Sequence, residues 1–242
     1  MQKDKKLVII TGGTKGIGKS LINKFAGLGF DVVTCSRNQA ELDALKVEVE
    51  TTYDIQLTAI QTDMSRKNQV TQFANAIIAL NRPIDVLINN AGRCLPSGLL
   101  AEKDGQLEEA IETNLYSAYW LIRALMPNMI EAAKEEAAKS YVFNICSTAS
   151  FMAFTSAASY SISKFAMYGM SKILREELKT TGIRVSSVMP GPTLTSSWDG
   201  ADIPEERFID PDDIAELIVS TYQLSGRTVV EDLIIRPQLG DL

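Results

Sequence analysis

Leu7-Val-Ile-Ile-Thr11-Gly12-Gly13-Thr14-Lys15-Gly16-Ile17-Gly18 joins four apolar residues to a glycine-rich turn, and a helical pattern with apolar Leu21, Ile22 and Phe25 follows. The stretch reads as strand, glycine turn, helix. Glycine lets the backbone bend tightly and approach an anion, and the free N–H groups and dipole of a helix start attract negative charge. A pyrophosphate is the ligand such a turn suits at the head of a βα unit. The spacing is G-x-x-x-G-x-G rather than G-x-G-x-x-G, and glycine turns also occur where a strand and a helix simply pack closely, so the neighbouring sequence has to decide.

Outward from this unit, short Val/Ile/Leu-rich runs alternate with longer helical patterns, the signature of βαβ units on a parallel sheet. The spacing predicts strands near 6–12, 31–37, 55–62, 85–91, 140–147, 184–190 and 231–236. Helices are expected near 16–29, 39–52, 66–80, 104–138, 160–181 and 210–223. Pro127 should interrupt the fourth helical region, and the charges from Glu131 to Lys139, three and four apart, mark a solvated helix end. The fold class is α/β, a doubly wound seven-stranded parallel sheet flanked by helices. With 242 residues against roughly 150 per domain, one domain over 1–242 is expected.

A hydrophobic content of 45% and a charged content of 22% belong to a folded soluble chain. Lys+Arg 24 against Asp+Glu 30 leaves −6, with no basic run to displace counterions, so no nucleic-acid partner is expected. Histidine is absent, which excludes Ser-His-Asp and Cys-His catalysis and imidazole zinc sites. Cys35, Cys94 and Cys146 are too far apart for a metal knuckle or a disulfide framework, so no metal is expected and a reducing cytoplasm fits. Only four apolar residues follow the basic N-terminus, too few for a signal-peptide core. Residues 140–163 carry no charge, but ten of these 24 are Ser, Thr or Asn, so the stretch reads as part of a polar site, not a membrane span.

The second strand ends in Ser36-Arg37, 19 residues after Gly18, where a dinucleotide site reads the adenosine ribose. An acid there would favour NAD; Ser36, Arg37 and Lys15 suit the 2′-phosphate of NADP. Asp85-Val-Leu-Ile-Asn89-Asn90-Ala91-Gly92 brings side-chain amides to the edge where open α/β sheets bind ligands. Asn114 follows in what reads as an ordinary helix. The apolar strand Tyr141-Val-Phe-Asn-Ile145 reaches Ser147, and Tyr160-Ser-Ile-Ser-Lys164 comes thirteen residues later. Tyr160 and Lys164, four apart, share a helix face, so the ammonium is expected to depress a phenol pKa that starts near 10. That spacing alone usually marks a surface pair; the serine-ended strand before it gives it chemical sense.

In order and spacing these motifs resemble those of the short-chain dehydrogenase/reductase family over essentially the whole chain. The family's T-G-x-x-x-G-x-G is matched by Thr11, Gly12, Gly16 and Gly18, its adenine-side acid by Asp63 before Met64, and its N-N-A-G by Asn89 to Gly92. Asn114, Ser147, Tyr160 and Lys164 match its catalytic residues, and Pro190-Gly191 its P-G turn. The resemblance implies a Rossmann fold and an NADP(H)-dependent ketone reductase. Tyr160 would donate the proton, Ser147 hydrogen-bond the substrate oxygen, Lys164 hold the nicotinamide ribose, and Asn114 position a relaying water. Thr14, Lys15, Ile17, Asn90, Ala91, Thr193 and Thr195 complete the expected cofactor contacts, the two last on the amide side.

The first three-quarters is similar to 3-oxoacyl-carrier-protein reductases, but the segment after Gly191 is shorter than usual there, and the sequence after Ile235 departs from their D-G-G-like ending. A substrate loop is expected at 191–209, with the substrate entering over 93–98 and 151–156 between apolar walls that include Phe151, Met152, Phe154 and Trp198. A small carbonyl or an acyl thioester presented from outside should fit better than a buried steroid-sized ketone. A homodimer or homotetramer joined through the helices near 104–138 and 160–181 is implied. The competing reading is a catalytically silent NADP-binding redox sensor, which would be expected to lack Ser147, Tyr160 or Lys164.

Overall fold

The computed structural model describes residues 5–135, 140–198, 200 and 202–242. Seven parallel strands, β1 (Leu7–Thr11), β2 (Asp31–Ser36), β3 (Leu57–Gln61), β4 (Val86–Asn89), β5 (Tyr141–Ile145), β6 (Arg184–Pro190) and β7 (Asp232–Ile235), form one sheet in the order 3-2-1-4-5-6-7. Every residue of β1, β4, β5 and β6 is buried, as apolar runs covered on both faces require. One face is covered by α1 (Gly16–Gly27), α2 (Gln39–Thr52) and α7 (Pro211–Gln223), through Leu21, Phe25, Leu45 and Ile218. The other carries α3 (Lys67–Ala79), α5 (Ser117–Glu135) and α6 (Ala158–Leu178), through Phe73, Leu121 and Met167. The chain runs outward from β1 to β3 and then crosses back to β4, which places the switch point between β1 and β4, beyond whose carboxyl ends ligands bind.

The fourth helical region differs from its expectation. It divides into α4 (Gln106–Ile111), a wide π-turn at Glu112–Tyr116, and α5. Pro127 lies inside α5, which continues through it: proline removes one N–H from the ladder, and packing on the core holds the rest. Lys134 reaches Glu131 at 2.6 Å, as the charge pattern predicts; the expected helix end at 136–138, Glu136 and Lys139 lie outside the described residues. Among the described residues, no helix is long and apolar enough to cross a membrane.

Candidate active site

The glycine turn is held by β4. Thr11 Oγ1 accepts from Asn90 N at 3.0 Å and Ala91 N at 2.9 Å, while Asn90 Nδ2 donates to Thr11 O at 2.9 Å and Gly12 O at 3.1 Å. Asn90 therefore braces the turn with its side-chain amide. Gly12 has φ +70, in the left-handed region, and a Cβ on Gly18 would come 2.1 Å from Gly12 O, so both positions require glycine. Lys15, at the start of α1, makes no side-chain cap, which leaves the N–H groups of the first turn facing outward over this cradle. A pyrophosphate fits both the space and the donors.

Beside it lies a cleft of about 630 Å³ lined by Thr14, Lys15, Ser36, Arg37, Glu41 and Ser196. Thr14 Oγ1 donates to Ser36 Oγ at 3.2 Å, and Gln61 Nε2 donates to the Arg37 carbonyl at 2.9 Å. Lys15 is paired with Glu41 at 2.8 Å, and its hydrogen bond holds the Glu41 carboxyl below its ordinary range. Glu41 was not among the expected site residues. It belongs to the first turn of α2, which Asn38 caps through Oδ1, and only the folded helix turns its carboxylate towards Lys15.

Asp63 Oδ1 accepts from Ser65 N at 3.0 Å and Ser65 Oγ at 2.7 Å, closing the turn after β3. The Met64 side chain packs in the core against the sheet. Ile17 packs partly buried on the opposite face of the core.

At the carboxyl ends of β4 and β5 the catalytic candidates come together. Ser147 follows β5, and its Oγ accepts from Ala149 N at 3.1 Å while Ser150 Oγ accepts from Ser147 N at 3.2 Å, which fixes the hydroxyl. Its side chain lies near enough to the Tyr160 phenol to pull that group's pKa down. Lys164, 4% exposed, donates from Nζ to Ile145 O at 2.8 Å and stands 5.7 Å from the Tyr160 ring centroid. The expected direction of the phenol shift is corrected. Burial pushes Tyr160 up to about 12, only partly offset by Ser147, and burial lowers the Lys164 ammonium as well. Desolvation is the largest cause for both groups.

Asn114 lies in the π-turn, not in a regular helix. Its Oδ1 accepts from Arg93 N at 2.7 Å, and its Nδ2 donates to Arg93 O and Ser163 Oγ, each at 2.9 Å. Ser163 Oγ in turn donates to Tyr160 O at 2.7 Å. Gly92 closes the group: a Cβ there would lie 3.2 Å from Asn114 Oδ1 and 3.5 Å from Lys164 Nζ. Behind it, Asn89 donates to Asn144 at 2.8 Å, Asn144 to Ser171 at 3.0 Å, and Ser187 to Ser171 at 2.9 Å, a buried chain of polar side chains from β4 to β6.

The loop after Pro190 and Gly191 is tied at its root by Thr193 Oγ1, which donates to Gly191 O at 3.0 Å, and by the Thr193–Ile209 bridge. Thr195 rests against the glycine turn, where a Cβ on Gly16 would meet its Cγ2 at 2.7 Å. Trp198 packs on Phe208, centroids 5.2 Å apart, while Phe151 is exposed. Two hydroxyls, Ser147 and Tyr160, thus converge where one oxygen could accept from both, with a buried ammonium alongside.

The profile of the short chain dehydrogenase family matches residues 6–204, from β1 past Thr195. This chain belongs to the short-chain dehydrogenase family. Among its similar relatives is the sepiapterin reductase of Chlorobaculum tepidum, 30% identical over 245 residues, covering 98% of both chains. An uncharacterized oxidoreductase of Staphylococcus saprophyticus is 27% identical over 232 residues, covering 96% of the dehydrogenase and 97% of that protein. In structure the dehydrogenase is similar to a metagenomic short-chain oxidoreductase solved in complex with NADP, with TM-score 0.82, 28% identity, and 96% and 97% of the two chains covered.

Proposed function

We propose that this dehydrogenase, acting as one domain over 1–242, uses NADPH to reduce a small ketone, dicarbonyl or 3-oxoacyl thioester to a secondary alcohol. The observation that carries this reading is the Ser147–Tyr160–Lys164 group at the sheet edge. When bound, NADPH supplies the hydride. Tyr160 gives its phenolic proton to the substrate oxygen as that oxygen gains charge, and Ser147 donates a hydrogen bond to the same atom. Lys164 would hold the ribose hydroxyls, and its charge would stabilise the phenolate left on Tyr160. The Asn114 amide, fixed by Arg93 and Ser163, orders the water through which Tyr160 and Lys164 regain protons. The intact triad speaks against the silent redox sensor.

Cofactor choice rests on Arg37, Lys15 and Ser36 in the 630 Å³ cleft, and the NADP complex of the metagenomic relative supports it. Arg37 and Ser36 would hold the 2′-phosphate, with Lys15 shared between it and Glu41. Because Glu41 places a negative charge on Lys15, Glu41→Gln should tighten NADPH binding about 3–10-fold, on the scale of an exposed ion pair or somewhat more. NADH, which lacks the phosphate, should bind unchanged, and fluorescence titration of both cofactors would measure it.

The substrate reading is tested by NADPH oxidation with a panel: a short 3-oxoacyl thioester, a vicinal diketone, sepiapterin and a rigid polycyclic ketone. The exposed Phe151 and the short loop over 191–209 favour the first three. A clear kcat/KM preference for the polycycle would overturn it. Turnover of none, with NADPH still bound, would favour the redox-sensing reading. We place self-association on α5 and α6, where Tyr119, Phe165 and Ile173 are exposed, and action in the cytoplasm, consistent with the three free cysteines.

A further inference from the structure

Tyr160 lies in the first turn of α6, a helix whose N-cap residue, Ala157, has no side chain able to accept a hydrogen bond. Helix starts leave N–H groups that need an acceptor, most of all when they are buried. Here the acceptor comes from 57 residues earlier in the chain. Glu102 Oε1 accepts from Ser159 N at 2.7 Å, and Oε2 accepts from Ser159 Oγ at 2.5 Å. Ser159 is wholly buried and directly precedes Tyr160.

Glu102 follows the short 3₁₀ turn Leu99–Ala101, at the end of the segment 93–102 that borders the proposed substrate entry. The same segment is fastened to the catalytic side at two further points. Ala158 N donates to Ser97 O at 2.9 Å, and the Asn114 amide grips the Arg93 backbone. Asn114 continues through Ser163 to the carbonyl of Tyr160. The substrate-side segment is therefore stitched to the turn that carries the phenol, and Glu102 is its one charged stitch to Ser159.

We propose that Glu102 is a positioning residue for Tyr160: its carboxylate supplies the capping acceptor that Ala157 lacks at the start of α6, so seating of the 93–102 segment and placement of the phenol are one event. This rests on the reading of Tyr160 as proton donor. A carboxylate at a helix start makes charge-assisted bonds and meets a favourable dipole. Without it, a buried N–H and hydroxyl lose their acceptor and the first turn, with Tyr160, loosens. Displacement of a reacting group by about 1 Å lowers rate about 10²-fold.

The test compares Glu102→Ala, Glu102→Gln and Tyr160→Phe in the full chain, each checked for folding by circular dichroism and for NADPH affinity by fluorescence titration, with the panel's best ketone as substrate. Glu102→Ala should lower kcat about 10–100-fold, with NADPH Kd within about twofold of the parent. Glu102→Gln keeps one acceptor oxygen and can donate to Ser159 Oγ, so it should recover most of the lost kcat. Should Glu102→Ala fail to fold, Glu102→Asp, which withdraws the carboxylate by one methylene, is read the same way. A folded, NADPH-binding Glu102→Ala with kcat within about twofold of the parent overturns the proposal, as does a Glu102→Gln as impaired as the alanine variant. If Tyr160→Phe itself keeps its activity, the proton-donor reading fails instead; if it is inactive while Glu102→Ala is not, only the positioning role fails.

Discussion

Tyr160→Phe is expected to lower turnover by about 10²–10⁴-fold, the range lost when a positioned acid is removed, while NADPH binds nearly as before. The substitution deletes one oxygen and leaves the ring, so the packing around Lys164 persists. At neutral pH the phenol is fully loaded with its proton, because burial pushes its pKa up to about 12. An acid held that high favours giving its proton to a carbonyl oxygen only as negative charge grows there, and Ser147 then shares that charge. Steady-state reduction of the best panel ketone, together with a binding isotherm for NADPH, measures both parts. Substantial residual turnover would place the proton donor elsewhere.

Arg37→Asp is expected to invert cofactor preference. Loss of a charge-assisted contact removes about 1.5–3 kcal/mol, or about 10–150-fold in NADPH affinity, and the new carboxylate repels the 2′-phosphate further. The same carboxylate is suited to accept from a free ribose 2′-hydroxyl, so NADH should bind as well as before or better. Paired dissociation constants for the two cofactors decide it. Equal affinity of the parent protein for NADPH and NADH would remove the basis of the expectation.

The centre of the sheet was legible because β1, β4 and β5 are buried on both faces and so read as apolar runs, as Leu7–Ile10 and Tyr141–Phe143 do. The glycine turn and the Tyr160–Lys164 pair were legible because their geometry is local: adjacent residues on one turn, or four apart on one helix. Glu102, Glu41, Ser163 and Asn144 were not. Each acts on a partner from another element, and nothing within ten residues of Glu102 announces that it caps a helix starting at Ala158. The direction of the Tyr160 shift was missed for a related reason. Spacing reveals the neighbouring ammonium, but desolvation depends on everything packed around both groups.

The π-turn at Glu112–Tyr116 holds one residue more than a regular helix would need in that span. Deleting a residue there would heal the helix locally. It would also draw the backbone around Asn114 back into a regular turn, unseating Asn114 from Arg93 or from Ser163 while leaving α4 and α5 nearly in phase. The extra residue thus sets where Asn114 points, and length changes in 112–116 should be tolerated far less well than side-chain changes on its exposed face.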